Sequence, residues 1–427
     1  MTATGPPGER SDVTEPKYVS LPWHESLRPT MHGGHEVTLL ESGAEFFPAL
    51  ELDIAAAAHG IYLETYIFED DRTGRRIAAV LAAAARRGVS VHVIVDGFGT
   101  VRGRGDWTRT LLDAGVLFET FRPERRRFSL DRQRLRRLHR KLAVIDGRIA
   151  FVGGINVLDD LYDPNHGALE HPRLDYAVRV RGPLVAQVHV AAARLWWEIS
   201  VVNRSLRRHV AGSGAAARAP LHLPDAVRSE VTPAGRTRAA FMLRDNLWHR
   251  RTIERAYLRA IGRSRREVLI ACAYFFPGAR FRRALLAAVA RGVRVRLLLQ
   301  GKVEYRIPHY GSQALYDELL RGGVEIVEYR RSFLHAKVAV IDDWATVGSS
   351  NIDPFSLLLA REANDGVNDA VFARSLRERL DAAIDAGGVP IALHGHRQRP
   401  RLVRIRNAVA LLLLRILLAV TGLAGRY

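Results

Sequence analysis

Two histidines stand in matching company. His139 precedes Lys141 by two residues, and His335 precedes Lys337 by two. Each lysine is followed five residues later by an aspartate, Asp146 or Asp342, and a glycine-containing turn then leads to Asn156 or Asn351. An imidazole beside an ammonium and a carboxamide suits a phosphoryl group. Lysine and asparagine hold the non-bridging oxygens, while the imidazole attacks phosphorus or moves a proton. Two such sets brought face to face supply one nucleophile and one general acid.

The elements that must position these groups follow from the same residues. After each histidine the chain turns β-branched and apolar, Leu142-Ala143-Val144-Ile145 in one copy and Val338-Ala339-Val340-Ile341 in the other. Both read as buried strands. Residues two apart on a strand share a face, so each His projects with its Lys. Asp146 and Asp342 lie at odd separation from the lysines, and a structural role facing away from the phosphate is expected of them.

The repeat extends beyond these motifs. Arg86-Arg87-Gly88-Val89 matches Ala290-Arg291-Gly292-Val293, and Asp113-Ala114-Gly115-Val116 matches Arg321-Gly322-Gly323-Val324. In the first half, strands are expected at 36–40, 61–68, 89–95 and 116–121, with helices at 45–58, 77–87 and 108–114. In the second, strands are expected at 268–276, 293–299 and 324–329, with helices at 280–290 and 313–320. Strand–helix alternation makes this an α/β chain. Composition divides it into a flexible arm at 1–35, a first lobe at 36–210, a linker at 211–238, a second lobe at 239–395 and a basic, apolar tail at 396–427.

The motif His-x-Lys, four residues, Asp, then Gly-Gly-x-Asn or Gly-Ser-x-Asn resembles the paired HKD motif of the phospholipase D superfamily. Leu63-Glu64-Thr65-Tyr66-Ile67-Phe68, Ala273-Tyr274-Phe275-Phe276-Pro277-Gly278 and Trp344-Ala345-Thr346-Val347-Gly348-Ser349-Ser350-Asn351 narrow the resemblance to bacterial cardiolipin synthases of the short type, without N-terminal membrane helices. It covers about residues 36 to 370. One departure is that six residues separate Asp146 from Gly153 but five separate Asp342 from Gly348. The second hairpin is thus shortened, or Asp343 replaces Asp342.

The resemblance implies two pseudo-symmetric lobes, each a mixed sheet flanked by helices, with the active site at the lobe interface. His139, Lys141, Asp146, His335, Lys337 and Asp342 form the catalytic set, and Asn156 and Asn351 bind the substrate phosphate. An acidic residue downstream of each Asn orients a histidine, Glu362 serving His335 and Asp175 serving His139. His139 is the nucleophile and His335 the acid/base. The implied reaction transfers a phosphatidyl group from phosphatidylglycerol to a second phospholipid or alcohol through a phosphatidyl-histidine. Transfer to water, as in a lipase, remains an alternative, as do a nuclease and a lipid-binding protein with a dead site.

Composition bounds this reading. The chain has 427 residues, 48% of them hydrophobic, and one cysteine, Cys272. This excludes a disulfide scaffold and a Cys-based metal site, and argues against a disordered or polytopic chain. No histidine falls in a metal-ligand motif, and with two lysines at the phosphate no metal or other cofactor is expected. The formal charge of +19 calls for a polyanionic partner. By resemblance this is anionic phospholipid, phosphatidylglycerol and cardiolipin, at the cytoplasmic face of the cell membrane, with no nucleic acid. Before His139 the first lobe carries extra chain with Arg122, Arg125, Arg126, Arg127, Arg132, Arg134, Arg136 and Arg137, expected to contact headgroups at the site mouth. In the tail, the apolar run 408–424 contains Arg415 and follows several arginines. A helix lying in the membrane interface is expected there, rather than a span or a helix packed on the protein's own core.

Overall fold

A computed structural model describes residues 16–22, 27–100, 105–123, 136–211, 227–245, 249–354, 356 and 359–420. Among the described residues, fifteen strands form one continuous mixed sheet. In the first lobe the spatial order is His32–Glu41, Tyr176–Arg181, Ile149–Gly153, Lys141–Ile145, Gly60–Thr65, Ser90–Asp96 and Leu117–Phe121. The second lobe repeats it as Thr237–Arg244, Glu362–Asn368, Trp344–Gly348, Lys337–Ile341, Glu267–Cys272, Arg294–Gln300 and Glu325–Tyr329, then adds Gly388–Pro390 at its edge. The lobes join where Thr237 and Ala239 pair with His35 and His32. The duplication read from short matches therefore extends to the order of every major strand.

The two motif strands are central and covered on both faces, which explains their unbroken apolar text. Ala143 and Ile145 enter a core under the helices Ser42–Ala56 and Arg72–Arg86. Ala339 and Ile341 enter the corresponding core of the second lobe. The alternate residues Leu142, Val144, Val338 and Val340 meet in a third core drawn from both lobes. The motif strands are thus fastened on one side to their own lobe and on the other to the shared core.

Several elements were not legible in the pattern. Helix Leu184–Ala211 runs for 28 residues where no element was expected. Helix Arg306–Gln313 precedes Tyr316–Arg321, where one helix at 313–320 was read; Pro308 sits in its first turn, where a missing N–H is tolerated. Tyr18–Leu21 pairs antiparallel with Val227–Glu230, so short strands fall within segments whose composition reads as arm and linker. Residues 1–15 and 212–226, and Arg125, Arg126, Arg127, Arg132 and Arg134, lie outside the described residues.

The tail forms helix Arg401–Val420, which packs on helix Arg306–Gln313. Asn407, Ala410, Leu414 and Leu418, spaced three and four apart, are buried. Leu414 and Leu418 cluster with Phe276 and Leu315. Leu402, Ile405, Val409, Leu412, Leu413 and Ile416 face outward and are exposed. The two alternatives for this segment divide the helix between them: one stripe packs on the protein, and the wider apolar face does not. Among the described residues no helix is long and apolar enough to cross a membrane.

Candidate active site

The histidines lie just before their strands, at the seam between lobes. Leu138 bridges Arg361 and Leu334 bridges Leu174, each pair in parallel and each across the lobe boundary. His139 N–H donates to the Arg361 carbonyl at 2.9 Å, and His335 N–H to the Leu174 carbonyl at 2.8 Å. These backbone bonds set the residues after Arg361 and Leu174, namely Glu362 and Asp175, against the histidines of the opposite lobe.

The carboxylates are therefore exchanged. His139 Nδ1 lies 3.0 and 3.1 Å from the two Glu362 carboxylate oxygens, and His335 Nδ1 lies 2.6 Å from Asp175 Oδ2. This corrects the expected pairing, Glu362 with His335 and Asp175 with His139. Linear order within a repeat gives no sign of whether a partner reaches its own lobe or crosses. With each Nδ1 held by a carboxylate, Nε2 is the nitrogen left for chemistry.

The lysines lie on the histidine face, as the two-residue spacing requires. Lys141 Nζ donates to the His139 carbonyl at 2.7 Å, and Lys337 Nζ makes the same bond to the His335 carbonyl. Both lysines are buried, and neither lines the cavity that the two histidines share. Their charge reaches it from beneath. Asn156 Oδ1 accepts from Ile67 N–H, and Asn351 Oδ1 accepts from Tyr274 N–H. Both asparagines line the cavity, which leaves the amide NH2 groups for a substrate oxygen.

Asp146 and Asp342 are not at the cavity. Each begins the turn after its motif strand with a φ of 52°, in the left-handed region. Asp146 accepts from the N–H groups of Ala58, His59 and Gly60, and Asp342 from those of Arg265, Arg266 and Glu267. Asp343 instead pairs with the Arg266 side chain, so Asp342 is the counterpart of Asp146 and the second turn is one residue shorter.

Three further residues support the site and were not singled out from the sequence. Asp96 Oδ2 accepts from Leu138 N–H at 2.9 Å, and Gln300 Oε1 from Leu334 N–H at 3.2 Å. Each fixes the backbone one residue before a histidine. The available signal was a polar residue closing an apolar strand eight residues after Gly88 and after Gly292. Ser349 Oγ donates to Glu362. Its counterpart, Gly154, packs so closely on Asp175 that a Cβ there would collide with the carboxylate.

Burial pushes Asp175 up to about 6. Burial also pulls Glu362 upward, but the charge and hydrogen bond of His139, with Lys141 and Ser349, outweigh it and hold the carboxyl below its usual range. Burial, then the neighbouring lysines, lowers both histidines, His335 well below its usual value. Burial brings Lys141 down to about 7 and lowers Lys337 as well. The lowering favours the neutral imidazole, the form a nucleophile or base requires.

The cavity, about 350 Å³, is lined by both histidines and both asparagines, with Tyr66 and Tyr274 beside them. It extends into the second lobe, where Phe275, Phe276, Leu299 and Leu414 form an apolar wall. Arg137 lies over the ring of Phe98, another lining residue, whereas Arg122 and Arg136 line a different cavity. Among the described residues no group of three or more His, Cys, Asp or Glu side chains is arranged to hold a metal ion.

A duplicated α/β chain that closes one cavity with two crossed histidine–carboxylate pairs, backed by two lysines, is equipped for phosphoryl transfer. Residues 50–169 and 257–384 match the family model described as "Cardiolipin synthase, PLD-like domain". The chain is 41% identical over 365 residues to cardiolipin synthase B of Escherichia coli K12, covering 83% of this chain and 81% of that one. It is 31% identical over 367 residues to cardiolipin synthase 2 of Bacillus cereus, covering 85% and 67%. The fold is similar to that of a phosphatidylserine synthase from Haemophilus influenzae, with a TM-score of 0.65 at 15% identity over 96% of this chain and 97% of that one. The chain belongs to the cardiolipin synthase family, whose domains are phospholipase D-like.

Proposed function

We infer that this protein is a phosphatidyltransferase of the cardiolipin synthase type, moving a phosphatidyl group from phosphatidylglycerol to the hydroxyl of a second phospholipid. The observation that carries this reading is the pair of crossed histidine–carboxylate contacts around one cavity. In the first step the Nε2 of one histidine attacks phosphorus, the bond from phosphorus to the glycerol oxygen breaks, and the other histidine, which enters the cycle protonated on Nε2, gives that proton to the oxygen. In the second step the acceptor hydroxyl gives its proton to that second histidine, and its oxygen bonds to phosphorus. The nitrogen–phosphorus bond then breaks.

His139 is the nucleophile in this mechanism. Its partner Glu362 is held ionised by the surrounding cations and Ser349, which favours electron density on the far nitrogen. The pair His335–Asp175 includes the carboxyl with the higher pKa and carries the travelling proton. Lys141 and Lys337 offset the charge that builds on the phosphoryl oxygens. The outward apolar face of helix Arg401–Val420, with Arg404 and Arg415 also exposed, serves peripheral attachment to an anionic membrane.

Incubation with isotopically labelled phosphatidylglycerol followed by lipid mass spectrometry tests the reaction: labelled cardiolipin and free glycerol are expected. Phosphatidic acid as the main product would replace transfer by hydrolysis. Denaturing capture with a radiolabelled donor is expected to place the label on His139. His139→Ala and His335→Ala should each lower turnover by about two orders of magnitude or more. Full activity in His139→Ala would end this reading.

A further inference from the structure

A second cavity, about 520 Å³, lies beside the lobe seam and away from the histidines. It shares the histidine-bearing chain segments but uses their other residues, Arg140 next to His139 and Arg361 next to Glu362. Two of its arginines are committed. Arg140 forms a buried ion pair with Glu64, and Arg361 donates to Glu198 at 2.8 Å. Arg244 is different. It ends strand Thr237–Arg244, is 1% exposed and lines this cavity, yet among the described residues no hydrogen-bond partner reaches its Nε or either terminal nitrogen.

Five N–H donors on a buried cation cannot be left empty without cost. Burial lowers Arg244 only to about 10, so it is charged at neutral pH. Glu362, Asp245 and Asp353 contribute negative potential but no hydrogen bond to the guanidinium. A planar guanidinium fork matches the oxygens of a phosphate. Leu195, Ile199 and Val202 of helix Leu184–Ala211 give the cavity an apolar wall. We propose that this cavity is a second phosphate site, in which Arg244 binds the phosphate group of a phospholipid headgroup or a free phosphate.

The test uses the full chain in four forms: wild type, Arg244→Met, Lys337→Met and the double variant. Thermal unfolding is followed in inorganic phosphate and in chloride at equal ionic strength. Phosphate is expected to stabilise both wild type and Lys337→Met, and to leave the double variant unmoved. In Arg244→Met the affinity assigned to the second cavity falls about tenfold or more, the value of a charge-assisted hydrogen bond. Without phosphate, Arg244→Met unfolds no lower than wild type, because a buried cation without hydrogen-bond partners among the described residues has been removed. A full phosphate response in Arg244→Met overturns the proposal, as does a response that Lys337→Met abolishes entirely. If Arg244→Met folds poorly, Arg194→Ala, at the same cavity, should weaken phosphate binding severalfold, and unchanged binding counts against the site. Calorimetry on Lys337→Met then compares inorganic phosphate with a short-chain phosphatidylglycerol below its micelle concentration. Tighter binding of the lipid assigns a headgroup, equal binding assigns free phosphate, and binding of neither overturns the proposal.

Discussion

One difference between the two half-sites is a hydroxyl. Gly-Gly-x-Asn in the first motif and Gly-Ser-x-Asn in the second place Gly154 against Asp175 and Ser349 against Glu362. Asp175, raised to about 6, is ionised above that pH and gains a proton as pH falls through it, whereas Glu362 stays ionised to lower pH. Activity should therefore fall on the acid side near pH 6. Asp175→Asn should flatten that limb, while Glu362→Gln should keep it and lower the plateau about a hundredfold or more. The check is kcat/KM between pH 4.5 and 8; an acid limb that survives in Asp175→Asn assigns it elsewhere. The histidines and lysines were legible because a strand's two-residue period couples them locally. The crossing of Asp175 and Glu362 was not, because the contacts span 160 and 223 residues and no local rule reaches that far.

At the scale of elements, the turns after the motif strands act as staples. Each aspartate gathers three backbone N–H groups from the start of the neighbouring strand. Asp146→Ala should destabilise the fold by about 2 kcal/mol or more, from lost acceptors and a strained left-handed backbone. Turnover per folded molecule should remain near normal. Denaturant midpoints and active-site titration check both statements, and a turnover loss without a midpoint shift would place Asp146 in the chemistry. Asp342 is held below its ordinary value of 3.8: burial opposes this, but backbone N–H groups and Arg266 outweigh it. Its contribution to stability is therefore present above that pH and lost as pH falls below it, so the deficit of Asp342→Ala should shrink in acid. The α/β alternation was readable because each strand or helix carries its own period. Helix Leu184–Ala211 was harder, since it contacts elements of both lobes and buries residues around much of its circumference.

A central strand also holds Asp365, buried, with neither carboxylate oxygen hydrogen-bonded among the described residues. Burial pushes it up to about 8. The unfolded chain releases this proton above 3.8 and the folded chain only above about 8, so stability should fall as pH rises through that window. Asp365→Asn should remove this slope, measured as melting temperature between pH 5 and 8; an unchanged slope would assign it to other groups.

For the whole molecule, the tail helix connects the outer surface to the cavity that the two histidines line. Leu413→Asp with Ile416→Asp should weaken binding to anionic vesicles at least about tenfold, through lost apolar burial, and spare activity on monomeric short-chain substrate. Leu414→Ala should instead impair both activities, because Leu414 belongs to the cavity wall. Vesicle flotation and assays on both substrates separate the two faces; equal losses from both variants would show that the helix acts as one packing unit. Deletion of residues 400–427 should likewise impair both activities, since it removes Leu414 and Leu418 from the cluster with Phe276. The run of leucines was visible in the sequence, but its division between inward and outward faces depends on helix Arg306–Gln313, whose Gly311 lies against Leu414.

The exchange of carboxylates also bears on how the chain is made. During synthesis His139 emerges long before Glu362, which is 223 residues away. His335 has Asp175 waiting for it, but the histidine proposed to attack phosphorus lacks its partner until the second lobe is nearly complete. A ribosome stalled midway, or a protease that leaves only the first lobe, therefore releases a fragment unable to cut lipids on its own. The full pair of histidine–carboxylate contacts therefore exists only once both lobes have been made.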